Sequence, residues 1–204
     1  MKMIIQRLLA ISTVILLSLA LNYATTQDII SVEAGQIGFQ VLLIIYLIQL
    51  VVFLVSFILK TEHYYDLTGG ITYITVIVFT LYQKQLLGTL DFRSILLGVL
   101  ILVWAMRLSS FLFLRIKKAG KDRRFDKIKT NFTRFMLAWA LQGFWVFMCT
   151  LPAITAIASE SKTTDYFLVG GAALWLFGFI MEVVADRQKS TFNQDPKNKG
   201  QFIS

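Results

Sequence analysis

The sequence predicts an all-α fold: a polytopic transmembrane helical bundle of about six helices with both termini cytoplasmic. Three observations lead there. The 204 residues are 56% hydrophobic and 14% aromatic with only two prolines, more apolar than soluble domains usually are. Six stretches with few charges are long enough to cross a bilayer core about 30 Å thick, which takes roughly 20 residues of helix. Lys and Arg, finally, are sorted between alternate loops as membrane insertion sorts them.

The six stretches lie at residues 4–21, 38–59, 67–87, 94–114, 135–158 and 166–185. The first is longer than the roughly 7–15 apolar residues of a signal-peptide core, and no small-x-small cleavage site follows, so it reads as a span. The third is the weakest, because Thr68, Gly69, Gly70, Thr72 and Thr75 dilute its first half. The fifth holds Cys149, the only cysteine, which excludes an intrachain disulfide. Residues 1–204 are read as a single membrane domain.

With the N-terminus inside, the inner segments hold Lys2, Arg7, Lys60, nine basic residues between 115 and 134, and then Arg187, Lys189, Lys197 and Lys199. The outer loops hold Lys84, Arg93 and Lys162, and Arg107 lies within a span. The main inner loop, "RIKKAGKDRRFDKIKTNFTR", sets nine basic residues against two acidic ones and carries most of the formal net charge of +8. It reads first as a topological retention signal touching anionic head groups. The functional alternative is a cationic rim for a phosphate-bearing ligand, since Arg forks suit phosphate. Nucleic acid is not expected, because the loop lies against a membrane and matches no binding module.

Polar residues inside the spans narrow the site. Arg107 precedes Arg115 by two turns, which places it roughly 12 Å deeper. Burying Arg centrally costs about 2.5–3.5 kcal/mol, so such residues face a partner or a wet cavity; ligand contact and a structural ion pair both fit. On the sixth span, Gly171, Trp175, Gly178, Glu182, Asp186 and Lys189 recur at spacings of three and four and draw one helical stripe. Asn193 extends it if the helix continues. Tyr64, Tyr65 and Asp66 stand at the inner mouth of the third span, where Tyr64 suits an aromatic belt and Asp66 an N-cap. Tyr65, Asp66, Arg107, Glu182 and Asp186 are expected at one membrane depth, around a pocket open to the cytosol.

Several chemistries are excluded. One histidine, His63, and one cysteine cannot build a zinc, bis-histidine haem or histidine-rich di-iron centre. Neither a Walker A loop nor a GxGxxG fingerprint is present, and no Ser-His-acid arrangement is credible. Redox work would need a diffusible organic cofactor bound outside a Rossmann fold. A transporter is disfavoured by the lack of internal repeats.

Three segments, "YYDLTGGITYI", "WAMRLSSFLFLRIKKAGKDRRFD" and "GFIMEVVADRQKSTFNQDPKNKGQFIS", resemble the DUF1295 group of steroid 5-alpha-reductase-like membrane proteins, from residue 64 to residue 204. The wider superfamily includes steroid 5-alpha reductases, sterol reductases and isoprenylcysteine carboxyl methyltransferases. The resemblance implies an integral membrane enzyme that binds NADPH from the cytosolic side and reduces a carbon–carbon double bond in a lipid or sterol-like enone. The endoplasmic reticulum of a eukaryote and the inner membrane of a bacterium fit such a protein equally well.

Carried over by position, Glu182 and Asp186 match a pair in the cofactor-binding helix, although the first of the two is often Asn in the steroid reductases. Arg187, Lys189 and Asn198 fall in the polar segment beyond that helix, and Arg107 joins them as a cofactor-binding candidate. Tyr65 and Asp66 match the YDLTG signature. Tyr65 or a protonated Glu182 is the expected donor to a developing enolate. In the family, "GQFIS" leads into a Gly-Leu-Trp, Ser-Arg-His-Pro-Asn-Tyr motif and further helices. The chain is therefore expected to be the N-terminal part of such a domain, truncated before the C-terminal cofactor motif, and can be inactive alone. Methyl transfer from S-adenosylmethionine and a non-catalytic membrane scaffold are the alternatives.

Overall fold

The computed structural model describes residues 2–26, 32–159, 166–198 and 201, and every described segment is helix, turn or loop, with no strand. Six long helices follow in chain order: α1 (Lys2–Thr26), α2 (Val32–Ile58), α3 (Tyr65–Leu86), α4 (Phe92–Ala119), α5 (Phe132–Ala158) and α6 (Tyr166–Gln194). Lys162 and Lys199, both counted in the charge pattern, lie outside the described residues. Two compact units result, Met1–Ser161 and Lys162–Ser204.

The helices overrun the apolar stretches because polar caps carry them further. The Asp91 carboxylate accepts from the Ser94 amide at 2.7 Å and opens α4. The Asn131 side chain accepts from the Arg134 amide at 3.1 Å and opens α5. Gly120, at φ +78°, closes α4 in a conformation that favours glycine, its amide donating to the Ile116 carbonyl. Five of the six helices are long and apolar enough to cross a membrane, and α3 is not among them.

In the first unit α3 packs on α2, α4 and α5, while α1 packs on α2 and α5. Val41, Ile45, Val76, Ile77, Val146 and Phe147 are wholly buried between them. One end of this bundle gathers the start of α1, the α2–α3 turn and the α4–α5 loop. There the Arg7 guanidinium donates to the Asn131 side chain at 2.9 Å and to the Thr133 hydroxyl at 3.2 Å. At the other end Gln83 of α3 donates to Gln40 of α2 at 2.9 Å. These pairings make the five helices alternate in direction.

Despite its low hydropathy, α3 runs the full distance between those ends, and 22 residues make a helix about 33 Å long. Its threonines do not ask for water. Thr68, Thr72, Thr75 and Thr80 each donate to the carbonyl four residues earlier, at 2.6–2.8 Å. Its glycines serve close packing: a Cβ on Gly70 would lie 2.1 Å from the Ser109 Cβ of α4, and one on Gly69 would lie 2.9 Å from the Gln142 Nε2 of α5.

Lys84 departs from the loop position that its charge suggests. It sits in the last turn of α3, 2% exposed, and its ammonium donates to the Ser159 carbonyl at the carboxyl end of α5. That carbonyl end carries partial negative charge, so the cation is stabilised where a neutral group would not be. Lys84→Met keeps the stem and deletes the charge. It is expected to lower stability by about 1.5 kcal/mol, read as a lower thermal midpoint in detergent.

The second unit is built on α6. Trp175 and Phe179, one turn apart, stack with ring centroids 4.9 Å apart and planes inclined by 10°. The helix continues to Gln194, so Asn193 does extend the stripe of Gly171, Trp175, Gly178, Glu182, Asp186 and Lys189. A short 3-10 turn, Pro196–Asn198, follows, and the Asn198 side-chain amide donates back to the Phe192 carbonyl at 3.0 Å.

Candidate functional site

A cavity of about 330 Å³ opens between α3, α4 and α5. Its walls are apolar and aromatic: Tyr73 on α3, Trp104, Leu108 and Leu112 on α4, Leu141 and Trp145 on α5. Leu141 and Trp145 are also exposed, Trp145 to 67%, so the cavity meets the outer surface of the bundle along α5. Tyr65, Asp66, Ser109 and Gln142 are the polar residues that join Tyr73 in its lining.

The YDLTGG segment builds the polar end. Gly69 and Gly70 bring α3 close enough for Gln142 and Ser109 to lie against its backbone. The Gln142 Nε2 donates to the Tyr65 carbonyl at 2.9 Å, and the Tyr65 hydroxyl donates to the Ala138 carbonyl at 2.9 Å. The two bonds tie the start of α3 to one turn of α5. The Ser109 hydroxyl donates to the Ala105 carbonyl of its own helix at 2.6 Å. Tyr65 is further wedged between Phe125 and Trp139, with ring centroids 4.8 and 5.1 Å away.

Asp66 is not an N-cap. Tyr64 occupies that position without a side-chain bond, and Asp66, one residue into the helix, lies 3.8 Å from the Arg115 guanidinium. Arg115 is the first residue of the basic stretch, in which Lys121, Arg124 and Lys129 are also paired with carboxylates. The Arg124 guanidinium chelates Asp122, with Nε at 3.0 and 2.8 Å from the two carboxylate oxygens, and Lys121 pairs with Asp126 at 3.0 Å. Phe125, 6% exposed, inserts between Tyr65 and Phe135.

Glu62 is the hinge pin of this end. Its carboxylate is 1% exposed; it takes the Lys129 ammonium on one oxygen and the Asp122 amide on the other at 3.0 Å. Beside it the His63 Nε2–H donates to the Gly120 carbonyl at 2.8 Å. Burial pushes the Glu62 carboxyl up, but the Lys129 bond, the Asp122 amide and the Lys129 charge together outweigh it and hold the pKa below the ordinary range. The Arg124 fork holds the Asp122 carboxyl low against a smaller opposing effect of burial.

Of the residues proposed from sequence, Tyr65 and Asp66 come together in the cavity. Arg107 lies on α4 with its guanidinium over the Phe111 ring, 5.3 Å from the centroid. In the second unit, Glu182 and Asp186 lie one turn apart and half-buried, Arg187 and Lys189 are exposed, and Asn198 closes the end of α6. Sequence reasoning missed Gln142, Ser109, Arg115 and Glu62. Gln142 carried a signal, as a lone amide in the apolar run "WALQGFW".

Residues 52–204 match the family described as "Protein of unknown function (DUF1295)". The chain belongs to the DUF1295 family. The matched part of this DUF1295 chain takes in the end of α2 and all of α3 to α6, so every wall of the cavity lies within it. No curated protein and no solved structure matches the chain.

Proposed function

We propose that this DUF1295 protein is an integral membrane oxidoreductase, its two ends on the cytosolic side, that reduces a carbon–carbon double bond in a lipid or sterol-like enone with NADPH. The observation that carries the reading is the cavity: apolar walls reaching the outer face of the bundle, and one polar end made by Tyr65, Asp66 and Gln142. Its volume, about 330 Å³, is at the small end of the roughly 300–1,000 Å³ of small-molecule sites. An enone lipid fits that polarity, with its hydrocarbon along Trp104, Leu108 and Trp145 and its carbonyl toward Tyr65.

The second unit offers cations of the kind NADPH binds. Arg187 and Lys189 are exposed on α6, and guanidinium and ammonium groups suit its phosphates; Arg107, Asp186 and Asn198 are the other candidates for holding it. When bound, NADPH supplies a hydride to the electron-poor carbon of the enone. The double-bond electrons then move onto the carbonyl oxygen, and the chain must neutralise that charge. The Tyr65 hydroxyl can do so by exchanging the Ala138 carbonyl for the enolate oxygen; Glu182 is the second candidate catalytic residue.

The test uses the chain in nanodiscs. NADPH binding is followed by nicotinamide fluorescence and enone turnover by loss of NADPH absorbance. Glu182→Gln and Arg107→Ala are each expected to weaken NADPH binding about tenfold, the effect of one charged hydrogen bond. Unchanged affinity in both removes them from the site. Binding of S-adenosylmethionine in place of NADPH, or of neither in a folded protein, overturns the reading.

A further inference from the structure

The polar end of the α3–α4–α5 cavity finishes on a loosely held ion pair. Asp66 lines the cavity with Gly69, Gly70 and Tyr73, residues three, four and seven places on, so it shares the α3 face that turns inward. On α4 the lining residues Leu108 and Leu112 are continued at helical spacing by Arg115. The pair thus stands where the two inward faces end, beside the α2–α3 turn and the α4–α5 loop.

Asp66 and Arg115 approach to 3.8 Å, beyond the roughly 2.7–3.2 Å of an N–H···O bond. Among the described residues, neither side chain makes a hydrogen bond within the protein. Both are open, the Arg115 side chain 45% exposed and that of Asp66 17%. The neighbouring Arg124 is already forked onto Asp122. A carboxylate only accepts and a guanidinium only donates, so the pair presents an acceptor and a donor side by side. At this separation one oxygen can lie about 2.8 Å from both, completing a polar contact too long to be direct.

We infer that this pair reads a hydroxyl: the cavity takes an amphiphile whose neutral O–H donates to the Asp66 carboxylate and accepts from the Arg115 guanidinium, its hydrocarbon lying along Leu108, Leu112 and Trp145. A hydroxyl carries a donor and acceptor lone pairs on one atom. A fatty carboxylate gains Arg115 but meets the Asp66 charge, and a fatty ammonium gains Asp66 but meets Arg115, so both are discriminated against by repulsion. A single water can bridge the pair as well, but it leaves the apolar walls uncovered, and covering them favours the alcohol. The inference deepens the proposed function and rests on this cavity being its substrate site. Asp66 and Arg115 are then specificity-determining residues that select a hydroxylated lipid.

The full chain in phosphatidylcholine nanodiscs, labelled with ¹⁵N at tryptophan, provides the test. Trp104 stands in the cavity wall, and its indole resonance is identified by its loss in Trp104→Phe. Without NADPH, 1-dodecanol is expected to shift that resonance saturably at about tenfold lower concentration than dodecane, dodecanoate or dodecylamine, the effect of one charged hydrogen bond. Asp66→Asn is expected to turn the preference toward dodecanoate. Arg115→Gln, at a half-exposed position, is expected to turn it toward dodecylamine. A pair that only holds α3 to α4 would instead weaken every ligand alike in both variants. That result, or a wild-type response that does not favour the alcohol, overturns the inference. Turnover is read separately: enone reduction without alcohol preference sinks only the inference, and alcohol preference without reduction sinks only the reductase reading.

Discussion

Gly70→Ala is expected to be among the most damaging single-methyl changes in this chain. Its Cβ would sit 2.1 Å from the Ser109 Cβ and 2.5 Å from the Ser109 Oγ, far inside van der Waals contact. A Cβ cannot swing away as a side-chain tip can, so α3 and α4 must part. Overpacking of this kind costs about 1–3 kcal/mol, and the backbone-fixed contact puts Gly70→Ala at the upper end, about 3 kcal/mol. The measurement is the thermal midpoint in detergent, with Ser109→Gly as partner. Ser109→Gly alone costs about 0.5 kcal/mol of helix propensity, yet combined with Gly70→Ala it is expected to recover most of the loss. Independent, additive losses would show that the two sites do not meet.

Glu62→Ala carries the second large effect. It removes the acceptor for the Lys129 ammonium and the Asp122 amide at once. Removing one member of a buried pair costs about 3–5 kcal/mol, and because Lys129 retains 21% exposure the lower figure applies. The loop from 115 to 134 should then become open to protease, while Glu62→Gln, which still accepts from the Asp122 amide, should lose less. The pH dependence follows in sign. A carboxyl whose pKa is lower folded than unfolded stabilises the fold above its unfolded value, here about 4.5. That contribution is lost as pH falls through the depressed folded pKa. Protection of the loop should therefore decline on acidification below about pH 4.5 in the wild type, and Glu62→Ala should flatten that decline; an unchanged decline would assign it to Asp122 instead.

How far these features could be read in advance depends on the range of the interaction. A run of some 20 apolar residues has one stable solution in lipid, a helix, so all six helices were legible within a few residues at most ends. The stripe on α6 was legible because helical periodicity is local, and its continuation to Asn193 needed only the helix end. Lys84 was misplaced because its partner, the Ser159 carbonyl, is 75 residues away, and nothing near Lys84 announces it. Asp66 looked like a cap because Thr, Gly and Gly follow it, but Arg115 turns it into the first unit's cavity rim. Glu62 opens the segment "EHYYDLTGG" but suggested no role of its own, since its partners lie 60 and 67 residues downstream. Within the site, Tyr65 was found through its motif, while Gln142 and Ser109 became visible only once the α3 glycines showed which helices approach.

The back-bonded threonines of α3 bear on how the topology of this chain is counted. A hydropathy sum scores each hydroxyl at full polarity even though a carbonyl one turn back already occupies it. Such a tally drops α3 and returns five crossings, an odd number that would send the two tails to opposite compartments. Counting α3 as a crossing gives an even number and tails in one compartment, and antibody tags at the two tails would read directly which count holds.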